Sequence, residues 1–303
     1  MTHALAWIVG SMLLVGGISY PLMKGYLRGS HRNLTDPKQA LSSIIQTGPQ
    51  SGALTTEYLA ELLGISRDRP VHAKTFSLAR AKERLLSSAL ISQAEVKLIP
   101  PGTLYIDYTV RQPVVFLEDY ENVALDKAAY PFAFSPFFSP KNLPSIYLGL
   151  APFGTPTVEP ERGVAQWGSA LQGKYIALAF DVLAIVTDPQ VADLFSVQRI
   201  DVSNAFSESY GTREIVVITH DVIYRQINGK EVQLHLPRIL RLSTSNYAQE
   251  LSRYLTLRAQ LLKEEEKKGF ALLEGAGPVM RCEEKIIDFR IQKLAFIQEA
   301  TSI

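Results

Sequence analysis

The residue types that carry most enzymatic and metal chemistry are sparse in this chain and poorly spaced for it. Its five histidines, His3, His31, His72, His220 and His235, are scattered with no metal-ligand spacing. The single cysteine, Cys282, can close no internal disulfide, which excludes a disulfide-stapled scaffold. There is no glycine-rich phosphate loop, no H-E-x-x-H and no G-x-S-x-G elbow. In His220-Asp221 a carboxylate could orient an imidazole, but two neighbours at the end of an exposed strand are the commoner arrangement. Glu264, Glu265 and Glu266 are consecutive on a predicted helix, so they splay around it instead of converging on a substrate. Phe132, Phe134, Phe137 and Phe138 crowd a proline-containing loop, as a contact surface or as satellite core beneath it. The expectation is a protein that is not an enzyme, takes no cofactor or metal, and works by binding.

The chain has 303 residues, enough for one membrane anchor and two modest domains. An apolar fraction of 47% and a charged fraction of 20% belong to an ordinary folded protein. A net charge of +1 argues against a dedicated nucleic-acid binder. Residues Ala4 to Met23 contain no charged side chain, and about twenty such residues span a bilayer core. Trp7 and Tyr20 lie near the ends of that run, where aromatic rings favour the membrane interface. A cleaved signal peptide would start on Lys or Arg and leave through an A-x-A-like site, and neither is found. Residues 4–23 are therefore expected to be a transmembrane helix, between a short cytoplasmic start at 1–3 and a juxtamembrane linker at 24–36. Lys24, Arg28, His31 and Arg32 follow the span, a bias that taken alone would place the rest of the chain in the cytoplasm, although long domains translocate largely regardless of flanking charge.

Binding without a reaction centre falls to strands and helices, and these are legible from Ser92 to Asp126. Ala94, Val96 and Leu98 alternate with Glu95 and Lys97, the period of a strand with one buried face. After the turn at Pro100-Pro101-Gly102, Leu104, Ile106, Tyr108 and Val110 point one way and their neighbours the other. A third short run, Val114 to Leu117, follows Pro113 and is expected to extend the same small sheet. Upstream, Thr55 opens a helix that carries Leu59, Leu62 and Leu63 and stops at Gly64. Ser77 caps a second helix with Leu78, Ala81, Leu85 and Ala89 at helical spacing. Before them, Asp36-Pro37 suits a helix start, while Ile44 to Thr47 reads either as its continuation or as a short strand stopped by Gly48-Pro49.

Strand, helix, helix, strand, strand resembles a POTRA domain, and behind an N-terminal anchor it resembles the FtsQ/DivIB family of bacterial cell-division proteins. The residues carrying the resemblance are Gly48, Leu63-Gly64, Ala94-x-Val96, Pro101-Gly102-Thr103-Leu104-Tyr105-Ile106, Arg111-x-Pro113-Val114 and Leu125-Asp126. Two motifs depart from it: Ala89-Leu90-Ile91 stands where the family has Pro-Trp-Val, and Val110-Arg111-Gln112-Pro113 where it has Glu-Arg-x-Pro. The resemblance implies an α+β protein with a POTRA domain over 37–127 and a mixed C-terminal β domain with flanking helices over 128–303.

Within the second region, Leu143-Pro144 resembles the opening of the family's β domain, and Gly149 to Gly173 reads as loop. Tyr175 to Val186 is apolar but too short to span a membrane and is interrupted by Asp181, so it reads as a packed helix, followed by a capped turn at Asp188-Pro189. Strands are expected at Val197 to Val202 and Glu214 to Thr219, then at Asp221 to Ile227 and Lys230 to Leu236 around the hairpin turn Asn228-Gly229, then at Ile239 to Ser243. Asn246 and Gln249 suggest a capping box for a long helix whose covered face holds Tyr247, Leu251, Tyr254, Leu255, Arg258 and Leu262. Ile286 to Ile291 is the last readable strand and resembles the family's C-terminal Val-Asp-Leu-Arg-Tyr strand.

A sheet edge can take up an extended partner by strand addition. The resemblance implies that the C-terminal strand and its flank receive FtsB/DivIC-like and FtsL-like division proteins. Ile287, Phe289, Arg290, Ile291, Leu294 and Phe296 are the expected partner-binding residues, with core filling as the competing role for alternate ones. The implied localisation is the inner membrane at the septum, single-pass, with the bulk of the chain periplasmic. A POTRA-bearing accessory of protein translocation or envelope assembly is the alternative, though no internal repeat and no series of barrel strands accompanies it. An anchored envelope hydrolase finds no supporting constellation of residues.

Overall fold

Between Thr55 and Gly64 the chain supplies its own helix start and stop. The Thr55 hydroxyl accepts from the Tyr58 amide, and Gly64 takes the left-handed conformation (φ 67) that lets its N–H reach back to the last turn. The resulting helix α1, Thr56–Leu63, buries Leu59 and Leu63. Helix α2, Leu78–Leu86, is capped in the same way by Ser77 and buries Ala81 and Leu85. The computed structural model describes residues 23–24, 40–49, 52–66, 68, 71–154, 165–192, 194, 196–227, 230–268, 272–273, 279–281 and 283–299. The chain divides into two units, one ending at Arg111 and the other running from Gln112.

The first unit holds a three-stranded sheet in the order β1-β3-β2. Strand β1, Ser43–Thr47, runs parallel to β3, Thr103–Val110, with Ser43 opposite Thr103 and Thr47 opposite Asp107. Strand β2, Ile91–Ile99, is antiparallel to β3. Leu104, Ile106, Tyr108 and Val110 are all buried, and α2 packs on β2 and on α1. Arg84 of α2 donates at 2.6 Å to the Leu63 carbonyl, one of the carbonyls a helix end leaves without an intrahelical partner. The Tyr108 hydroxyl accepts from the Leu54 amide at 2.9 Å and donates to Gln46 at 3.3 Å. Gly48 leaves room beside it: a Cβ there would lie 2.7 Å from that hydroxyl oxygen, so the Tyr108 ring would have to shift. Ile44 to Thr47 is thus a strand, while Asp36-Pro37 lies outside the described residues.

The second unit is built on an eleven-stranded sheet. Strands β4 (Val115–Leu117), β5 (Val123–Leu125), β6 (Pro131–Ala133), β7 (Ser145–Tyr147) and β8 (Val197–Asp201) form one half of it. Strands β9 (Ile215–Ile227) and β10 (Lys230–Leu242) form its long central hairpin. Strands β11 (Leu272–Leu273), β12 (Val279–Arg281), β13 (Lys285–Asp288) and β14 (Phe296–Glu299) complete it. The order is β11-β12-β10-β9-β8-β7-β4-β5-β6, with β13 also alongside β10 and β14 outside β13. Helix α3, Lys174–Val186, buries seven side chains in the core; a short helix α4, Pro189–Ala192, follows it. Helix α5, Tyr247–Lys268, adds Leu251, Tyr254 and Leu261 to the same core.

Several expectations are corrected here. Val115–Leu117 pairs with β5 and β7 and so belongs to the second unit; the division falls after Arg111, not after residue 127. Alternation told which face of this run is buried, but not which strands would pair with it. The strands expected to break near His220 and Pro237 are continuous. Phe289 donates its amide to the Arg241 carbonyl, so Arg241 turns its backbone toward β13. By alternation Pro237, four residues back, faces the same edge. That is where β12, paired as far as His235, gives way to β13, paired from Arg238, so no ladder bond is required of proline. The turn Asn228-Gly229 itself lies outside the described residues. Ahead of α5 the expected capping box does not form: the Asn246 amide donates to the Ser243 hydroxyl at 3.1 Å, not to Gln249, and Glu250 accepts from the Ser243 amide and hydroxyl at 2.7 Å each.

The single-pass membrane architecture and the inner-membrane localisation are also corrected. Among the described residues no helix is long and apolar enough to cross a membrane. Helix α3 is apolar but has only 13 residues, and α5 has 22 residues but carries Arg253, Arg258, Lys263 and Glu264. The stretch Ala4 to Met23 lies, apart from Met23, outside the described residues. The fold is mixed α and β, with five helices and the two sheets among the described residues.

Candidate functional site

The six residues expected to bind a partner separate into three groups. Ile287 (0% exposed) and Phe289 (1%) are buried in the main core. Alternation along β13 turns Ile287 inward. The Phe289 ring meets Tyr254 of α5 edge-on, 6.5 Å between centroids at 79°, with the Arg253 guanidinium 5.8 Å from its own centre. Neither side chain has surface to offer a partner. Burial also pushes the Tyr254 hydroxyl up to about 12, helped by the Asp221 charge.

Arg290 is a clamp. It chelates the Asp288 carboxylate (2.7 Å at its closest), reaches Glu214 at 3.5 Å and donates to the Gly211 carbonyl at 3.0 Å. Arg241 approaches the same carboxylate at 3.6 Å and holds Glu214 at 2.6 Å. Burial alone would push Asp288 up, but its hydrogen bonds and charge pairing with Arg290, with Arg241 behind, outweigh burial and hold it below its ordinary 3.8. This network ties the start of the last hairpin to the residues just before β9.

Ile291, Leu294 and Phe296 are half exposed, and the structure adds Ile297 to them. Ile291 and Leu294 sit in the turn between β13 and β14, where the Leu294 amide donates to the Ile291 carbonyl and Lys293 takes a left-handed φ of 65. Phe296 and Ile297 begin β14, all four residues of which are exposed.

Pairing decides which strand can accept another. Both sides of β13 are occupied, by β10 and by β14, so the strand singled out in the sequence has no edge left. Among the described residues β14 pairs with β13 alone. Its backbone polarity follows from the Phe289-to-Arg241 bond. Phe289 and Ile287 face β10, so Ile286 and Asp288 face β14. Their cross-strand mates Gln298 and Phe296 turn their amides inward, which turns that of Ile297 outward, away from β13. Among the described residues the site is a strand edge with no second strand on it, with apolar side chains on it and around it. The sequence signal for it was the run Phe296-Ile297 after a polar turn, too short to reveal a strand.

The other candidates resolve structurally. Asp221 lies inward on β9 and binds Arg258 at 2.7 Å and the Ser196 amide at 2.8 Å, so it does not orient His220, which alternates to the other face. Phe132 and Phe134 are buried, with Phe138 stacked 5.6 Å from Phe134, which makes them satellite core. Cys282 lies outside the described residues. Among the described residues no group of three or more His, Cys, Asp or Glu side chains converges as a metal site. Compared with known proteins, the chain matches no family model and no curated protein.

Proposed function

We propose that this chain is a binding scaffold of bacterial cell division, of the FtsQ/DivIB kind, which takes an extended segment of a partner onto the open edge of β14. The carrying observation is that edge: an exposed strand that, among the described residues, pairs with β13 alone, fringed by Ile291, Leu294, Phe296 and Ile297. An unpaired edge supplies backbone donors and acceptors to any extended chain, and the flanking side chains select among them. Arg290 and its carboxylates tie the hairpin to Gly211 and Glu214, just before β9, so the edge is presented on a braced support. The order β1-α1-α2-β2-β3 in the first unit supports the family reading. The partners are FtsB/DivIC-like and FtsL-like division proteins.

The test is co-purification of the full chain with those partners, using Ile297→Pro. Proline removes the outward amide of β14 while leaving the inward bonds from Phe296 and Gln298. Wild type retaining the partners and Ile297→Pro losing them at unchanged circular dichroism is the expected result. Undiminished retention by Ile297→Pro contradicts strand addition. Failure of the wild type to retain any such partner contradicts the cell-division reading.

A further inference from the structure

The β9–β10 hairpin brings together two histidines fifteen residues apart. His220 Nε2 and His235 Nδ1 are 2.8 Å from each other, with ring planes at 86°. His220 stands opposite Pro237, and His235 opposite Val222, so the two are diagonal neighbours on one face of a continuous antiparallel pair. They line a cavity of about 780 Å³ beside β9, beyond the start of β8, together with Asn142, Gln198 and Tyr224. The geometry points to a two-imidazole site for a divalent ion of the copper(II) or nickel(II) class.

The donor separation carries this assignment. Metal–imidazole bonds of about 2.0–2.1 Å set at a right angle place their nitrogens about 2.9 Å apart, and at a tetrahedral angle about 3.4 Å apart. The observed 2.8 Å fits the right-angle pair, the geometry of tetragonal copper(II) and nickel(II) sites. Two neutral imidazoles also make an N–H···N hydrogen bond at this distance. A metal replaces that bond once the donor ring moves its hydrogen to its other nitrogen, and no proton is lost or gained in the exchange. Arg258, the guanidinium lining the same cavity, is paired with Asp221, so an entering dication meets a neutralised charge. With two protein ligands, the remaining coordination positions go to solvent in the cavity.

The test uses the full chain carrying His3→Ala, since a histidine third from a free amino terminus is itself a copper ligand. Copper(II) is added as its sulfate and followed by equilibrium dialysis and electron paramagnetic resonance. One equivalent retained, with superhyperfine coupling to two nitrogens, is expected. His220→Ala and His235→Gln should each weaken retention at least tenfold, and nickel(II) should raise the melting midpoint of the parent alone, reversibly with EDTA. Absence of two-nitrogen coupling in the parent overturns the site whatever the variants do. Equal retention by both variants assigns the copper to other residues and overturns it as well.

Discussion

Phe289 and Phe296 are seven residues apart, both apolar, and at opposite ends of burial. Phe289 is 1% exposed and enclosed by Tyr254 and Arg253, whereas Phe296 is 52% exposed on β14. Truncating a fully buried phenylalanine costs about 3–5 kcal/mol, of which an edge-to-face aromatic pair accounts for about 0.5–1.5 kcal/mol. Removing a ring already half in water costs under about 1 kcal/mol. Phe289→Ala should therefore lower the urea midpoint of the second unit steeply, and Phe296→Ala should leave it nearly in place. Trp167 reports that unit directly, since its ring lies 4.8 Å from Phe153; Trp7→Phe silences the only other tryptophan. Partner binding should show the reverse order, lost with Phe296→Ala and kept by whatever fraction of Phe289→Ala remains folded. A Phe289→Ala variant as stable as wild type, or a Phe296→Ala variant equally damaged, would refute the placement of β13 inside and β14 outside.

Four further perturbations probe individual ion pairs and close contacts in the two units. Asp288 has its folded value below the ordinary 3.8, so its contribution is complete above that value and is lost as pH falls through the lower one. The melting-point gap between wild type and Asp288→Asn should be constant above about pH 5 and close below about pH 4; a gap that widens toward acid contradicts this. Asp221→Ala should cost about 3–5 kcal/mol in denaturant unfolding, because it strands the partly buried Arg258 and the Ser196 amide. Lys97→Ala, which breaks the exposed pair with Glu95, should cost under about 1 kcal/mol. Gly102→Ala would place a Cβ 2.2 Å from the Ala40 carbonyl oxygen; hydrogen exchange should show β1 and β3 loosened, by about 1–3 kcal/mol or more.

The local structure was readable because its causes are local. Thr55 and Gly64 cap α1, Ser77 caps α2, and the alternation from Leu104 to Val110 sets the buried face of β3. What depends on distant pairing was not readable in the same way. Val115–Leu117 alternates like the strands before it, yet β7, one of its partners, begins at Ser145. Phe289 and Phe296 are alike in composition and differ only because β14 folds back outside β13, turning the predicted docking strand into an interior one. The two histidines are a case where the information was present. Ile227 opposite Lys230, the pairing an Asn-Gly turn imposes, already makes His220 and His235 diagonal neighbours, but only when the register is counted outward from the turn.

Strand addition at the outer edge of β14, as proposed above, would change the protection of single amides. Amide hydrogen exchange on the full chain, with and without the partner, tests it residue by residue. Phe296 and Gln298 should be protected in both states, while Ile297 should exchange freely alone and become protected in the complex. Protection of Ile297 before the partner is added, or its continued free exchange in a saturated complex, would contradict the claim.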